Sequence, residues 1–163
     1  MILRAITLAA GLTGAFAAAQ FPSFSQQYLQ RLGGAVDALH QVVADFDRSA
    51  AAEGLSRDQA LAQLKGSDFL DRRRADMARS IARHSRLRAD LAALKGQGPF
   101  MRATRITHLS DREIALRTWQ AFEPAVPLTT ASALFAIGGF ALGCFGVGLA
   151  AAVLRRPRRR QPA

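Results

Sequence analysis

The sequence holds a single cysteine, Cys144, among its 163 residues, which excludes an intrachain disulfide and a cysteine-based metal cluster. Histidine is scarce too. His40, His84 and His108 are the only imidazoles, and none has a histidine or cysteine three or four residues away, the spacing a zinc site favours. The chain also lacks a phosphate-cradling glycine loop, a GxSxG elbow and a glycine-rich turn between strand and helix. Its acids occur in local groups, Asp45 with Asp47 and Asp68 with Asp71, and the latter two fall in the first turn of an expected helix, where negative charge meets the helix dipole. Capping explains them, and Asp111, more simply than acid–base catalysis. No catalytic, cofactor-binding or metal-ligating residue is therefore assigned, and an enzyme is not expected.

Charge is missing from one long stretch. Residues 124–154 carry no charged side chain, and within them Leu128–Leu154 exceeds the ~20 residues that a bilayer core requires. Arg155 and Arg156 follow at once, with Arg158, Arg159 and Arg160 behind them, a pattern that holds a helix end on the cytoplasmic side. A second apolar stretch opens the chain: from Ile2 to Ala19 only Arg4, Thr7 and Thr13 interrupt it. Two readings fit it. Ala17-Ala18-Ala19 before Gln20 suits a cleavable signal peptide. Ile2 to Phe21, about 30 Å of helix, suits a retained anchor. The lone basic residue ahead of the apolar run, and Phe21, Phe24 and Tyr28 just beyond it as an aromatic belt, favour retention. Either way the segment between the two stretches is exported and the arginine tail stays inside.

Half of the residues are hydrophobic and the formal charge is +10, from 22 basic and 12 acidic residues. Setting aside Arg4 and the five tail arginines leaves 16 basic and 12 acidic residues in the middle, a net +4. That division argues for a lipid bilayer and against nucleic acid as the partner. Small residues recur every four positions in both stretches, as Ala10, Gly14 and Ala18 and as Gly139 and Gly143. Such spacing lets helix backbones approach closely in lipid. The two spans are expected to pack on each other or on partner helices, and Gly139 and Gly143, with the middle region, are the surfaces expected to meet a protein partner or a second copy.

The middle reads as helix throughout. Leu29, Leu32, Val36, Leu39, Val43 and Phe46 alternate steps of three and four, an a/d seam that ends at Gly54. Gly33-Gly34 weakens it at ~1 kcal/mol per glycine and marks a place for a kink. Ser56 caps a short helix running to Gly66, and Ser67 caps a long one with Leu70, Met77, His84 and Leu91 every seven residues and Ile81, Leu87 and Leu94 beside them, closed by Lys95-Gly96. The short linker makes the two long helices an antiparallel hairpin, which would bring His40 and His84 near one level. Ser110-Asp111-Arg112-Glu113 has capping-box spacing for a last helix with Ile114, Leu116, Trp119 and Phe122, ended by Pro124 and Pro127. Trp119 suits either the headgroup region or a core contact. Arg72, Arg73, Arg74, Arg79, Arg83, Arg86 and Arg88 crowd the second long helix. A solvated face paired with Asp76, Asp90 and the first helix's acids is the favoured reading; an envelope sensor or anionic-lipid binder using the arginine-rich helix 67–95 is the alternative.

MILRAITLAAGLTGAF, QFPSFSQQYLQRLGGAVDAL followed by VVADFD, DMARSIARHSRL, and FEPAVPLT before the last span together resemble a family of small proteobacterial inner-membrane proteins classed as a domain of unknown function. The likeness covers nearly the whole chain. It implies two membrane spans with a helical exported loop and assigns no activity or residue role. The expected fold is all-α: a transmembrane helix or signal peptide at 2–21, an exported helical domain at 22–127 built on a coiled-coil-like antiparallel hairpin, a transmembrane helix at 128–154, and a cytoplasmic tail at 155–163. The expected role is that of a non-enzymatic accessory or scaffold protein of the bacterial inner membrane.

Overall fold

The structure, a computed structural model, describes residues 1–124 and 129–154. Every regular element among them is helical: α1 (Ile2–Ala19), α2 (Phe21–Ala52), α3 (Arg57–Gln63), α4 (Asp68–Leu94), α5 (Pro99–Thr104), a 3₁₀ turn (Ile106–His108), α6 (Arg112–Gln120) and α7 (Thr130–Leu154). Two compact units result. Met1–Ser25 and the described residues from Phe122 onward form one, and Gln26–Ala121 forms the other. The expected tail at 155–163, Pro127 and the first residue of the expected span, Leu128, lie outside the described residues.

In the first unit α1 packs along α7. Both are long and apolar enough to span a membrane, with mean hydropathy of 1.6 and 2.1, yet only 6% of the most apolar window of each is buried. A helix of this composition in a water-soluble core would be covered on most sides; here Ile2, Ile6, Leu12 and Phe16 of α1 and Leu134, Ile137, Leu142 and Phe145 of α7 stand exposed. Thr129 starts α7 by accepting the Ser132 backbone N–H (3.1 Å) and donating its hydroxyl to Ser132 Oγ (2.8 Å). The Thr7 hydroxyl donates to the Leu3 carbonyl one turn back (2.9 Å), which satisfies it within its own helix.

The second unit is a bundle of α2, α4 and α6. Its core joins Tyr28, Leu32 and Val36 of α2 to Leu87 and Leu94 of α4 and Ile114 of α6, with Leu29, Ala35, Leu39, Leu91, Leu109 and Ala115 packed around them. The α5 segment bridges the start of α2 and the end of α4: Arg102 donates to Gln26 Oε1 (2.8 Å) and Arg105 to the Ala93 carbonyl (2.7 Å). Farther along, the His40 and His84 rings lie 5.6 Å apart, so the two helices run antiparallel. Gly54 and Gly66 turn the chain between them and Gly96 turns it after α4, all at positive φ, where a Cβ would be strained. α2 passes through Gly33-Gly34 without a break; packing of Leu32 and Val36 on either side outweighs the propensity loss.

The end of the bundle differs from its sequence reading. Ser110 does not cap α6. Asp111 does, its carboxylate accepting the Ile114 N–H at 3.0 Å, while the Ser110 hydroxyl donates to Asp90. α6 stops at Gln120, short of both prolines, so Phe122 lies beyond it. Trp119 is 69% exposed and Leu116 48%, whereas the inward position goes to Thr118, whose hydroxyl is spent on the Ile114 carbonyl (2.7 Å). Helix α5 and the 3₁₀ turn were not foreseen; Pro99 at the first turn of α5 is the available signal.

Candidate functional site

Three places carry chemistry above the background of a helical bundle. The first is the α1–α7 seam. A Cβ added to Gly14 would meet the Gly139 carbonyl oxygen, one added to Gly139 would meet the Gly14 carbonyl oxygen and, at 2.6 Å, the Ala18 Cβ, and one added to Gly143 would meet the Ala10 carbonyl. The residues singled out by four-residue spacing thus face one another within the chain. Gly11, adjacent to that row, lies under Phe140 and Cys144, 2.7 and 2.8 Å from where its Cβ would stand. Backbones this close are held by dispersion and by Cα–H···O contacts. The Phe21 and Phe135 rings, 5.3 Å apart, and the edge-on Phe24 and Phe122 rings, 5.8 Å apart, add aromatic contacts to this unit.

The second place holds the residue types of a catalytic triad in the wrong order. Asp90 Oδ1 lies 2.7 Å from His108 Nδ1, but the Ser110 hydroxyl donates to Asp90 Oδ2 (3.3 Å) rather than to the imidazole. A nucleophile needs its hydroxyl proton on the base. Here the carboxylate takes both partners and ties α4 to the segment entering α6. Tyr28 completes the clasp: its buried hydroxyl accepts the Asp111 N–H (3.2 Å). Burial raises the Tyr28 pKa above the ordinary phenol value, so the phenol stays protonated.

The third place is the basic face of α4, which borders two clefts. The larger, about 630 Å³, is lined by Leu39, Asp76, Arg79, Ser80, Ala82, Arg83 and Arg86. Its guanidinium groups are largely matched. Arg79 pairs with Asp76, and Arg83 pairs with Asp111 (3.3 Å) and Glu113 (2.8 Å). Arg74 likewise meets Asp71 at 3.3 Å. Asp90, expected to face an arginine, takes His108 instead.

The smaller cleft, about 200 Å³, forms where α2, α3 and α4 meet and is lined by His40, Val43, Ala44, Asp47, Arg57, His84, Ser85 and Arg88. Arg57 grips Asp47 with two parallel bonds, Nε to Oδ1 at 2.7 Å and Nη2 to Oδ2 at 2.6 Å; the pair lowers the Asp47 pKa and raises that of Arg57. His84 is buried beside this group. Desolvation first, then the neighbouring His40, Arg88 and Arg57, hold its pKa below the ordinary imidazole value. The hairpin thus brings His40 and His84 together as their spacing implies, but Arg57, Asp47 and Arg88 were not foreseen at the site. Asp47 and Arg57 lie on different helices, and no spacing rule links them; the only local signal was the Ser56–Gln59 capping box that fixes the start of α3. Among the described residues no three metal-ligating side chains of the His, Cys, Asp or Glu types come together.

A family model of proteins of unknown function matches residues 2–160. The chain belongs to the DUF2937 family. Membership agrees with the resemblance to an uncharacterised domain and brings no assigned residue role, so the clefts of this DUF2937 protein must be read from their own chemistry. No curated protein and no solved structure matches the chain.

Proposed function

We propose that the protein is a two-span integral protein of the bacterial inner membrane whose apolar helices pair into a hairpin and whose helical bundle is a non-enzymatic contact module within a larger membrane assembly. The α1–α7 seam carries this reading. It joins glycine to glycine across the two apolar helices while their large side chains face outward, an arrangement suited to lipid, where close backbone packing replaces the hydrophobic effect. The charge of the sequence supports the orientation, with the bundle periplasmic and the arginines after Leu154 cytoplasmic.

Because Gly139 and Gly143 are occupied by α1, the proposed partner or second copy meets the outward faces of the spans and the surface of the bundle. The wiring of Asp90, His108 and Ser110 into a structural clasp supports the non-enzymatic part. Pairing of Arg79 and Arg83 with carboxylates weighs against these two residues as the anionic-lipid contact of the alternative reading. Gentle-detergent purification with cross-linking is expected to recover self-association or a stoichiometric partner, and protease treatment of intact inside-out inner-membrane vesicles, whose cytoplasmic face is outward, to leave the bundle protected and the tail cut. A clean monomer without partner overturns the contact role; a protected tail overturns the orientation.

A further inference from the structure

We propose that the cleft where α2, α3 and α4 meet is an oxyanion-binding site for a phosphate-type group, held by the Arg88 guanidinium, the Ser85 hydroxyl, the outer edge of Arg57 and the His40 and His84 imidazoles. The inference is independent of the contact role proposed above.

Three observations converge on it. The donors come from three helices onto one cleft of about 200 Å³, rather than from one helix face. Second, an acid matches only one of their two guanidinium groups, that of Arg57, whereas in the larger cleft Arg79 and Arg83 are both paired. Asp47 is the only carboxylate lining the smaller cleft, and Arg57 holds it through Nε and Nη2, which leaves the Arg57 Nη1 edge without a hydrogen bond among the described residues. Arg88 has no carboxylate partner and the Ser85 hydroxyl no acceptor among those residues, whereas Ser49 and Ser80 return theirs to the carbonyls of Asp45 and Asp76. Third, desolvation first, and then the positive charge of the surroundings, disfavours a proton on His84. An oxyanion would offset the charge part of that effect, since opposite charge stabilises the imidazolium, and a protonated His84 adds a charge-assisted donor. The titratable groups that line the cleft with His84 are His40 and Asp47 from α2, Arg57 from α3 and Arg88 from α4, so the site carries net positive charge once Asp47 and Arg57 cancel. Val43 and Ala44 supply an apolar wall.

Phosphate chemistry of this kind could come from a free anion or from a lipid phosphomonoester. The full chain, labelled with ¹³C-histidine in detergent, is titrated with sodium phosphate against chloride of equal ionic strength, and separately reconstituted in bilayers of phosphatidylcholine with or without phosphatidic acid. Saturable movement of the His40 and His84 resonances on one binding curve is expected. Arg88→Gln is expected to weaken binding about tenfold, the size of one charge-assisted hydrogen bond, and Ser85→Ala to weaken it less; Arg79→Gln, in the other cleft, leaves it unchanged. Response to free phosphate identifies a soluble anion, and response to phosphatidic acid alone a lipid headgroup. Resonances that follow neither, or that titrate in Arg88→Gln as in the unaltered chain, overturn the site.

Discussion

Substituting Gly139 by valine would place a Cβ against the Gly14 carbonyl oxygen and 2.6 Å from the Ala18 Cβ. Neither obstacle is the flexible end of a side chain, so α1 and α7 must separate. Overpacking of this kind costs about 1–3 kcal/mol, a factor of about 5 to 150 in the balance between packed and separated helices. In lipid no hydrophobic gain between the helices offsets the lost contacts. Gly138, one residue earlier on the same helix, faces open space, so Gly138→Val carries the same change in helix propensity without the clash. The native cysteine supplies the assay. Cys144 Sγ lies 3.6 Å from the Thr7 carbonyl oxygen, and a cysteine introduced by Thr7→Cys should form an intramolecular disulfide on mild oxidation in the membrane. The initial rate of that cross-link should be unchanged by Gly138→Val and fall at least about fivefold with Gly139→Val. Equal rates in the two valine variants would refute close backbone packing as the basis of the seam.

Other outcomes follow from the bundle. Leu32 is fully buried in its core, and Leu32→Ala should lower the unfolding free energy by about 2–5 kcal/mol in denaturant titrations followed by helical circular dichroism; a loss below 1 kcal/mol would contradict its placement. Tyr28→Phe removes the acceptor of the Asp111 N–H and should cost about 0.5–1.5 kcal/mol, without changing the helical content. His84 titrates below its ordinary value because it is buried near cations. The unfolded chain therefore takes up the proton first as pH falls, and the stability that His84 contributes is intact above about pH 6.5 and lost as pH drops through and below that value. Unfolding midpoints measured between about pH 7.5 and 5.5 should show this decline, and His84→Leu should flatten it; an unaltered slope would remove His84 as its source.

Much of the bundle was legible because its rules are local. Ser67 caps α4 as its position implies, Gly54 ends α2, and the three-and-four spacing of Leu32 and Val36 matches the buried face. Errors appeared where two local rules competed. Ser110 and Asp111 are both good N-caps, and Ser110 with Glu113 satisfies the capping-box spacing. Asp90, twenty residues upstream, draws the Ser110 hydroxyl and leaves the cap to Asp111. The small cleft was half legible for the same reason: the helical period brings His40 and His84 to one level, whereas Arg57 arrives there only because it closes on Asp47 across a turn.

The seam shows a different limit on what one strand of sequence can specify. α7 is apolar all round, so hydropathy alone gives no preferred face; orientation must come from side-chain size. Four-residue spacing selected Gly139 and Gly143 and, on α1, Ala10, Gly14 and Ala18, and these are the residues that meet. Yet Gly138, Gly146 and Gly148 are equally small and face open space, because a row of contacts needs matching rows on both helices and theirs has no counterpart. Gly11 belongs to the neighbouring row, with Ala15 and Ala19, and is buried because Phe140 lies across it. That contact sets a large residue on a small one, and its partner depends on the register between α1 and α7. Register is fixed by the Gly14–Gly139 approach, so the short spacing motif determines the pairing and the pairing then determines which of the remaining residues are small enough for where they fall.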